Sequence, residues 1–171
     1  MRERKGNLIT LAKEGHFDVI THGCNCFCTM GAGIAPQMAM AFGCDKFHME
    51  SPEYRGDINK LGAIDYEIVG VVPDHSGKSL IPADEATELI VVNSYTQYRY
   101  GRNHADGDKT PVDYQAIALC MKKINHIFKG KTIGLPMIGA GLAGGDWKII
   151  ESIITCELQD MDVWIVKYDG T

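Results

Sequence analysis

Positive charge is in short supply in this chain: 17 lysines and arginines stand against 22 aspartates and glutamates, a formal net charge of −5 at pH 7. That balance argues against broad, sequence-independent gripping of a nucleic-acid backbone, which needs a basic footprint, though it leaves room for a local basic patch. Long apolar runs are absent too. No stretch approaches a membrane span, and the opening Met1-Arg2-Glu3-Arg4-Lys5 has none of the apolar character of a secretory signal. The expected location is the cytoplasm, where the six cysteines would be reduced thiols. Repeats, linkers and low-complexity tracts are missing, as are a Ser-His-Asp signature and a nucleophile elbow. What remains is an ordinary globular composition: 171 residues, 45% hydrophobic and 23% charged, read as one domain with a proper core.

Strand-like and helix-like segments alternate. Apolar or β-branched runs recur at Asp18–Thr21, Ala63–Val72, Glu88–Tyr95, Thr132–Met137 and Asp162–Tyr168, with Arg2–Lys5 a weaker candidate. Between them, Gly33–Phe42 is uncharged and rich in Ala and Met, which predicts a largely buried helix. Asp113–Phe128 places Ile117, Cys120, Ile124 and Phe128 at helical spacing, with Thr110 and Pro111 suited to its start. Trp147–Leu158 carries Ile150, Ile153 and Ile154 on one side, with Asp146 placed as N-cap. Asp74-His75-Ser76-Gly77-Lys78 reads as a turn. Arg99–Thr110 is polar and aperiodic and reads as a mobile loop. The class is α/β with a mixed, mostly parallel sheet, in which ligands bind beyond the carboxyl ends of strands.

Two glycine-rich loops each follow a strand and open a helix: Met30-Gly31-Ala32-Gly33-Ile34-Ala35, and Ile138-Gly139-Ala140-Gly141-Leu142-Ala143-Gly144-Gly145. Neither is a dinucleotide fingerprint, because Pro36 falls where a third glycine would stand, and neither has the Lys-Ser/Thr of a P-loop. A strand–glycine loop–helix unit does aim free N–H groups and a positive dipole end at one spot, which suits phosphate. Two such units would grip a diphosphate from both sides. The plainer alternative is that the glycines only serve tight turns.

His22-Gly23-Cys24-Asn25-Cys26-Phe27-Cys28 sets four metal-ligand types at alternate positions. An extended strand would put them on one face, a poor zinc geometry beside turn-linked pairs. Buried small cysteines are the better reading, and a cysteine nucleophile would need a depressed pKa that sequence cannot supply. Asn25, at the strand exit, is suited either to a sugar hydroxyl or to an Asx-turn. His22 is an acid–base candidate or a satisfied core histidine. Asp146 is an acid–base candidate or only a cap. His104, Asp106 and Asp108 lie in the polar loop and are as readily solvated as functional.

Taken in order, these features resemble the macrodomain family of ADP-ribose-binding modules over nearly the whole chain. Lys5-Gly6-Asn7-Leu8 is similar to the family's opening turn, where an acidic residue reads the adenine amino group and Asn7 stands here instead. His22-Gly23-Cys24-Asn25 aligns with the family's Asn-Ala-Ala-Asn, Gly31–Ala35 with its Gly-Gly-Gly-Val-Ala, and the second loop with its second phosphate loop. The His22–Cys26 segment is similar to the His-Ser-Cys-Asn-Cys of yeast-type ADP-ribose 1″-phosphate phosphatases, and Gly139–Trp147 to compact stand-alone macrodomains of bacteria and their viruses. In one hydrolase branch a central-strand lysine attacks the ribose and an acid follows the second loop's Gly-Leu. Here Val92–Gln97 has no lysine and Ala143 follows Leu142. Many relatives carry an aromatic at Ala143, so the distal end is roomier.

The resemblance implies a three-layer α/β/α macrodomain whose ligand is ADP-ribose or a derivative. Adenine would lie near Gly6, Asn7, Leu8 and Tyr168. The diphosphate would lie between Met30–Ala35 and a second wall of Pro136 and Ile138–Ala143, with the distal ribose near Asn25. The implied reaction is hydrolysis of ADP-ribose 1″-phosphate, with Asn25, His22 and Asp146 as candidate catalytic residues and no metal or organic cofactor. Removal of ADP-ribosyl or acetyl groups, or binding without turnover, are the alternatives. No membrane partner is implied, and no oligomer.

Overall fold

The computed structural model describes residues 1–46, 55–71, 86–100 and 111–171. The elements in chain order are β1 (Arg2–Lys5), α1 (Leu8–Lys13), β2 (Val19–Asn25), α2 (Ala35–Phe42), a single 3-10 turn (Ile58–Lys60), β3 (Ile64–Val71), β4 (Thr87–Gln97), α3 (Tyr114–Ile127), β5 (Thr132–Leu135), α4 (Trp147–Glu157) and β6 (Asp162–Lys167). The six strands form one sheet in the order β1-β6-β5-β2-β4-β3. Every neighbouring pair is parallel except β3 on β4, so the sheet is mixed and mostly parallel, as expected.

Helices cover both faces. Against one face α3 and α4 bury Ile117, Met121, Ile124, Ile150 and Ile154 on Val19, Val92, Ile133 and Ile165. Against the other, α1 and α2 bury Leu8, Leu11, Met38 and Phe42 on Ile20, Leu89, Val91 and Val166. A strand covered on both sides reads as a continuous apolar run, and β4 is buried without interruption from Leu89 to Thr96. Each large side chain so buried contributes about 1.5–3 kcal/mol. Gly134 of β5 lets Phe17 lie flat on the sheet: a Cβ there would stand 2.7 Å from Phe17 Cδ2.

Three expectations change. The Gly6–Leu8 turn opens onto α1, a helix of six residues capped by Asn7, whose Oδ1 accepts from Ile9 N–H at 3.0 Å and Thr10 N–H at 3.3 Å. Two turns carry too little periodicity to stand out. Next, β2 runs past Thr21 to Asn25, so His22 and Cys24 are strand residues, while Cys26 and Cys28 lie beyond its end. A register irregularity between Cys24 and Asn25 and a left-handed Cys28 (φ 58°) break the alternation that would have aligned all four. Finally, α2 is not buried all round: Ala35, Met38 and Phe42 face the core, but Met40 is 89% exposed. The turn expected at residues 74–78, and His104, Asp106 and Asp108, lie outside the described residues.

Candidate functional site at the carboxyl ends of β2, β4 and β5

Chain direction selects the place. From β2 the chain leaves toward α2 on one face of the sheet, and from the adjacent β5 it leaves toward α4 on the other. Loops that part company this way open a crevice beyond the carboxyl ends of the strands. A cleft of about 720 Å³ lies there, within the size range of small-molecule sites. Its walls include Gly31–Ala35 from the first glycine loop and Pro136, Ile138, Gly139, Gly141, Leu142 and Ala143 from the second.

The two readings of the glycines divide between individual residues. Gly139 (φ 74°) and Gly145 make the turn itself: Gly145 N–H donates to Gly139 O at 2.8 Å, and a Cβ on Gly145 would stand 2.7 Å from that same oxygen. Gly31 and Gly141 are different. A Cβ on either would meet nothing within 4 Å, because both face open space.

The start of α2 carries the main electrostatic feature. The other three helices each have a side chain on their first amides: Asn7 on α1, Asp113 on α3 and Asp146 on α4. At α2 the capping position is Ile34, with no side-chain hydrogen bond and a proline in the first turn. Helix N-termini leave orphan N–H donors and a partial positive charge. Here they open onto a cleft whose described lining residues include no charged side chain. An anion would be held by amides and dipole rather than by cations.

Asn25 lines the cleft and at the same time builds its wall. Its Oδ1 accepts from Phe27 N–H at 3.0 Å and Thr29 N–H at 3.3 Å, and its Nδ2 donates to Thr29 O at 3.0 Å and Thr29 Oγ1 at 2.8 Å. The Asx-turn role is therefore present. The amide shapes the Asn25–Thr29 turn.

His22 is fully buried on the α1/α2 face and is not part of the cleft lining. Asn93 Nδ2 donates to Cys44 O at 2.8 Å and to Asp65 Oδ1 at 2.7 Å, which leaves its Oδ1 to accept from His22 Nε2 at 2.7 Å. The network therefore requires the proton on Nε2. That nitrogen, 3.7 Å from Cys24 Sγ and 3.9 Å from Cys44 Sγ, is not a base toward either thiol. Burial, then the nearby Asp65 charge, pushes the Cys24 thiol well above its usual range. Burial likewise pushes Cys26 up to about 11, and Cys44 and Cys120 up to about 12. None of these four is an activated nucleophile. Tyr95 is held protonated by burial and by its 2.5 Å hydrogen bond to Asp65 Oδ2.

Several expected residues stand apart from the cleft. The Asp146 carboxylate accepts from Lys148 N–H at 2.9 Å and caps α4. Gly6, Asn7 and Leu8 form the β1–α1 junction, with Leu8 in the core, and Tyr168 is 70% exposed beyond β6. Met30 and Ala140 pack on the two cores beneath their loops. The structure adds Gly23, Cys24, Thr29, Thr96, Gln97, Tyr100 and Met137 to the lining. Thr96 and Gln97 close β4, and Gln97 pairs with Asn25 across the ladder. Among the described residues no cluster of three or more His, Cys, Asp or Glu is arranged to hold a metal ion, and no helix is long and apolar enough to cross a membrane.

Comparison with known proteins gives one curated relative and a set of solved structures. No protein-family model matches the chain. An uncharacterized 17.5 kDa protein from the tk-vs intergenic region of Enterobacteria phage T4 is 33% identical over 174 residues, covering 96% of this chain and 94% of its own. A Bacteroides thetaiotaomicron protein of unknown function superposes with a TM-score of 0.71 at 22% identity, covering 98% of each chain. The macrodomain of Thermus aquaticus DarG superposes at 0.63 and 20% identity, covering 99% of this chain and 97% of its own. Thermosipho africanus DarTG, solved in complex with ADP-ribose, superposes at 0.64 and 15% identity over 98% of this chain and 41% of its own.

Proposed function

This chain is a macrodomain by fold and belongs to one family with the phage T4 17.5 kDa protein, and on that premise we propose that it binds ADP-ribose. The observation that carries the reading is the uncapped start of α2, which opens with Gly31 and Gly141 onto a cleft whose described lining residues include no charged side chain. A diphosphate suits that place: its charge meets orphan amides and a helix dipole, and its bulk meets glycines with no Cβ in the way. The ADP-ribose complex of the DarTG neighbour supports the choice of ligand. The terminal ribose would then reach the Asn25–Thr29 turn.

For turnover we propose hydrolysis of ADP-ribose 1″-phosphate. Water attacks phosphorus, the bond from phosphorus to the sugar oxygen breaks, and the water's proton ends on the leaving sugar oxygen. The protein's part would be electrostatic: amides of the two loops hold the charge that builds on the phosphoryl oxygens. His22, hydrogen-bonded to Asn93, and Asp146, the cap of α4, are not among the described residues that line the cleft. A second reading has its own support. Among the described residues lining the cleft there is neither carboxylate nor imidazole, which favours an ADP-ribose reader without turnover. Calorimetry with ADP-ribose tests binding. Phosphate release from ADP-ribose 1″-phosphate on the same sample separates enzyme from reader.

A further inference from the structure

The cleft has an aromatic corner that the glycine loops leave unused. Phe27 follows the end of β2, and Tyr98 and Tyr100 follow the end of β4. The Phe27 ring stands edge-on to Tyr98, centroids 5.2 Å apart at 62°, and to Tyr100, 5.9 Å apart at 81°. Its seat is tight: a Cβ on Gly56 would lie 2.8 Å from Phe27 Cε1. Gly56 is itself pinned, because its N–H donates to Cys26 O at 2.7 Å and its carbonyl accepts from the Tyr98 hydroxyl at 2.8 Å. On the β4 side, Gln97 Nε2 donates to Arg99 O at 2.7 Å, which steadies the backbone just before Tyr100.

Tyr100 is the outward member of this group. It is 59% exposed and lines the cleft. A T-shaped contact takes the rim of one ring and a single face of the other, so Tyr100 keeps at least one face for a ligand. Scattered exposed aromatics are ordinary on a surface, but this one has a braced support and faces a cleft of nucleotide size. Such faces stack nucleobases, and pre-ordered support lowers the entropic cost of doing so.

We propose that Tyr100 is a stacking platform for a planar heterocycle of the ligand, and so a specificity-determining residue of the nucleotide site. The proposal rests on the ADP-ribose reading above. The heterocycle is a second base carried on the terminal sugar, as in nicotinamide adenine dinucleotide, because that sugar reaches the Asn25–Thr29 turn, whose Phe27 ring stands against Tyr100.

The test is calorimetry of wild type, Tyr100→Ala and Tyr100→Phe with both ligands, alongside thermal midpoints. Tyr100→Ala should keep its midpoint and weaken the dinucleotide by about fivefold to a hundredfold, the usual worth of one stacked base. Tyr100→Phe should stay within about threefold of wild type, because the face rather than the hydroxyl is used. Weakening of the dinucleotide alone supports the platform; equal weakening of ADP-ribose, whose terminal ribose carries no base, overturns it, and so does a wild type that binds ADP-ribose but not the dinucleotide. If Tyr100→Ala binds both ligands as wild type does while Gly141→Glu weakens them, the platform is overturned and the ADP-ribose reading stands. Equal losses in the Ala and Phe variants also overturn it. A wild-type protein that binds neither ligand removes both claims.

Discussion

Gly141→Glu separates binding from folding more cleanly than any other single change in the cleft. A side chain at 141 enters open space, and the φ of Gly141 is not among the positive ones. Nothing is displaced and no backbone strain arises, so stability should stay within about 0.5 kcal/mol of wild type. The new carboxylate would face the diphosphate. At 4 Å, two unit charges repel by about 1 kcal/mol in bulk water and about 4 kcal/mol at the effective permittivity of a protein surface. With two phosphate charges the penalty is at least about 2 kcal/mol, or roughly thirtyfold in affinity, before any steric clash is added. Gly141→Ala is the control: its Cβ meets nothing, so ADP-ribose affinity should fall by no more than about threefold. The electrostatic share of the Glu penalty should shrink in about 1 M salt, where screening acts over about 3 Å. Calorimetry with ADP-ribose, with circular dichroism to establish the fold, reads all of this. A folded Gly141→Glu protein with wild-type affinity would refute the second loop as a phosphate wall.

Other outcomes follow from the same geometry. Gly134→Ala should destabilise by about 1–3 kcal/mol, seen as a lower urea midpoint with unchanged slope, because its Cβ would stand 2.7 Å from the buried Phe17 ring; an unchanged midpoint would mean Phe17 moves freely. Asn25→Ala removes four hydrogen bonds from the Asn25–Thr29 turn and should slow any turnover by about ten- to a hundredfold while weakening ADP-ribose, whereas Asn25→Asp, which keeps the two accepted bonds, should lose less. Equal behaviour of the two variants would discard the turn as the cause. Alkaline pH should destabilise: thiols raised to about 11 in Cys26 and about 12 in Cys44 and Cys120 stay protonated when folded, while unfolded thiols ionise near 8.5. The folded state then binds more protons, so their contribution is fully present below about pH 8.5 and drains away as pH rises toward 11–12. A urea midpoint that stays flat from pH 8 to 10.5 would contradict this.

The fold was largely legible because its buried strands are apolar runs and its longer helices carry their caps in sequence, as Asp146 shows. The short α1 was not, since six residues give no period. The cleft's two glycine walls were visible as motifs, but which glycines turn the chain and which face open space depends on the packing around each, and of the described cleft-lining glycines Gly31 and Gly141 have that space. His22 shows the limit of motif reading. Its place near Asn25 in sequence suggests a shared site, yet His22 stands three residues short of the carboxyl end of β2, where Cys24 on the same face lines the cleft, and it ends in a buried network with Asn93. Gln97 and Tyr100 entered the cleft through strand order: β4 lies beside β2, and no local pattern encodes that adjacency.

The central claim is that two loops and the open start of α2 hold a diphosphate with a sugar beyond it. Calorimetry of the unmodified protein with ADP-ribose and with AMP tests it most directly. The account predicts saturable one-to-one binding of ADP-ribose and at least tenfold weaker binding of AMP, which has one phosphate and no second sugar, a difference of about 1.4 kcal/mol or more. Equal affinity for the two ligands, or no binding of ADP-ribose, would contradict it.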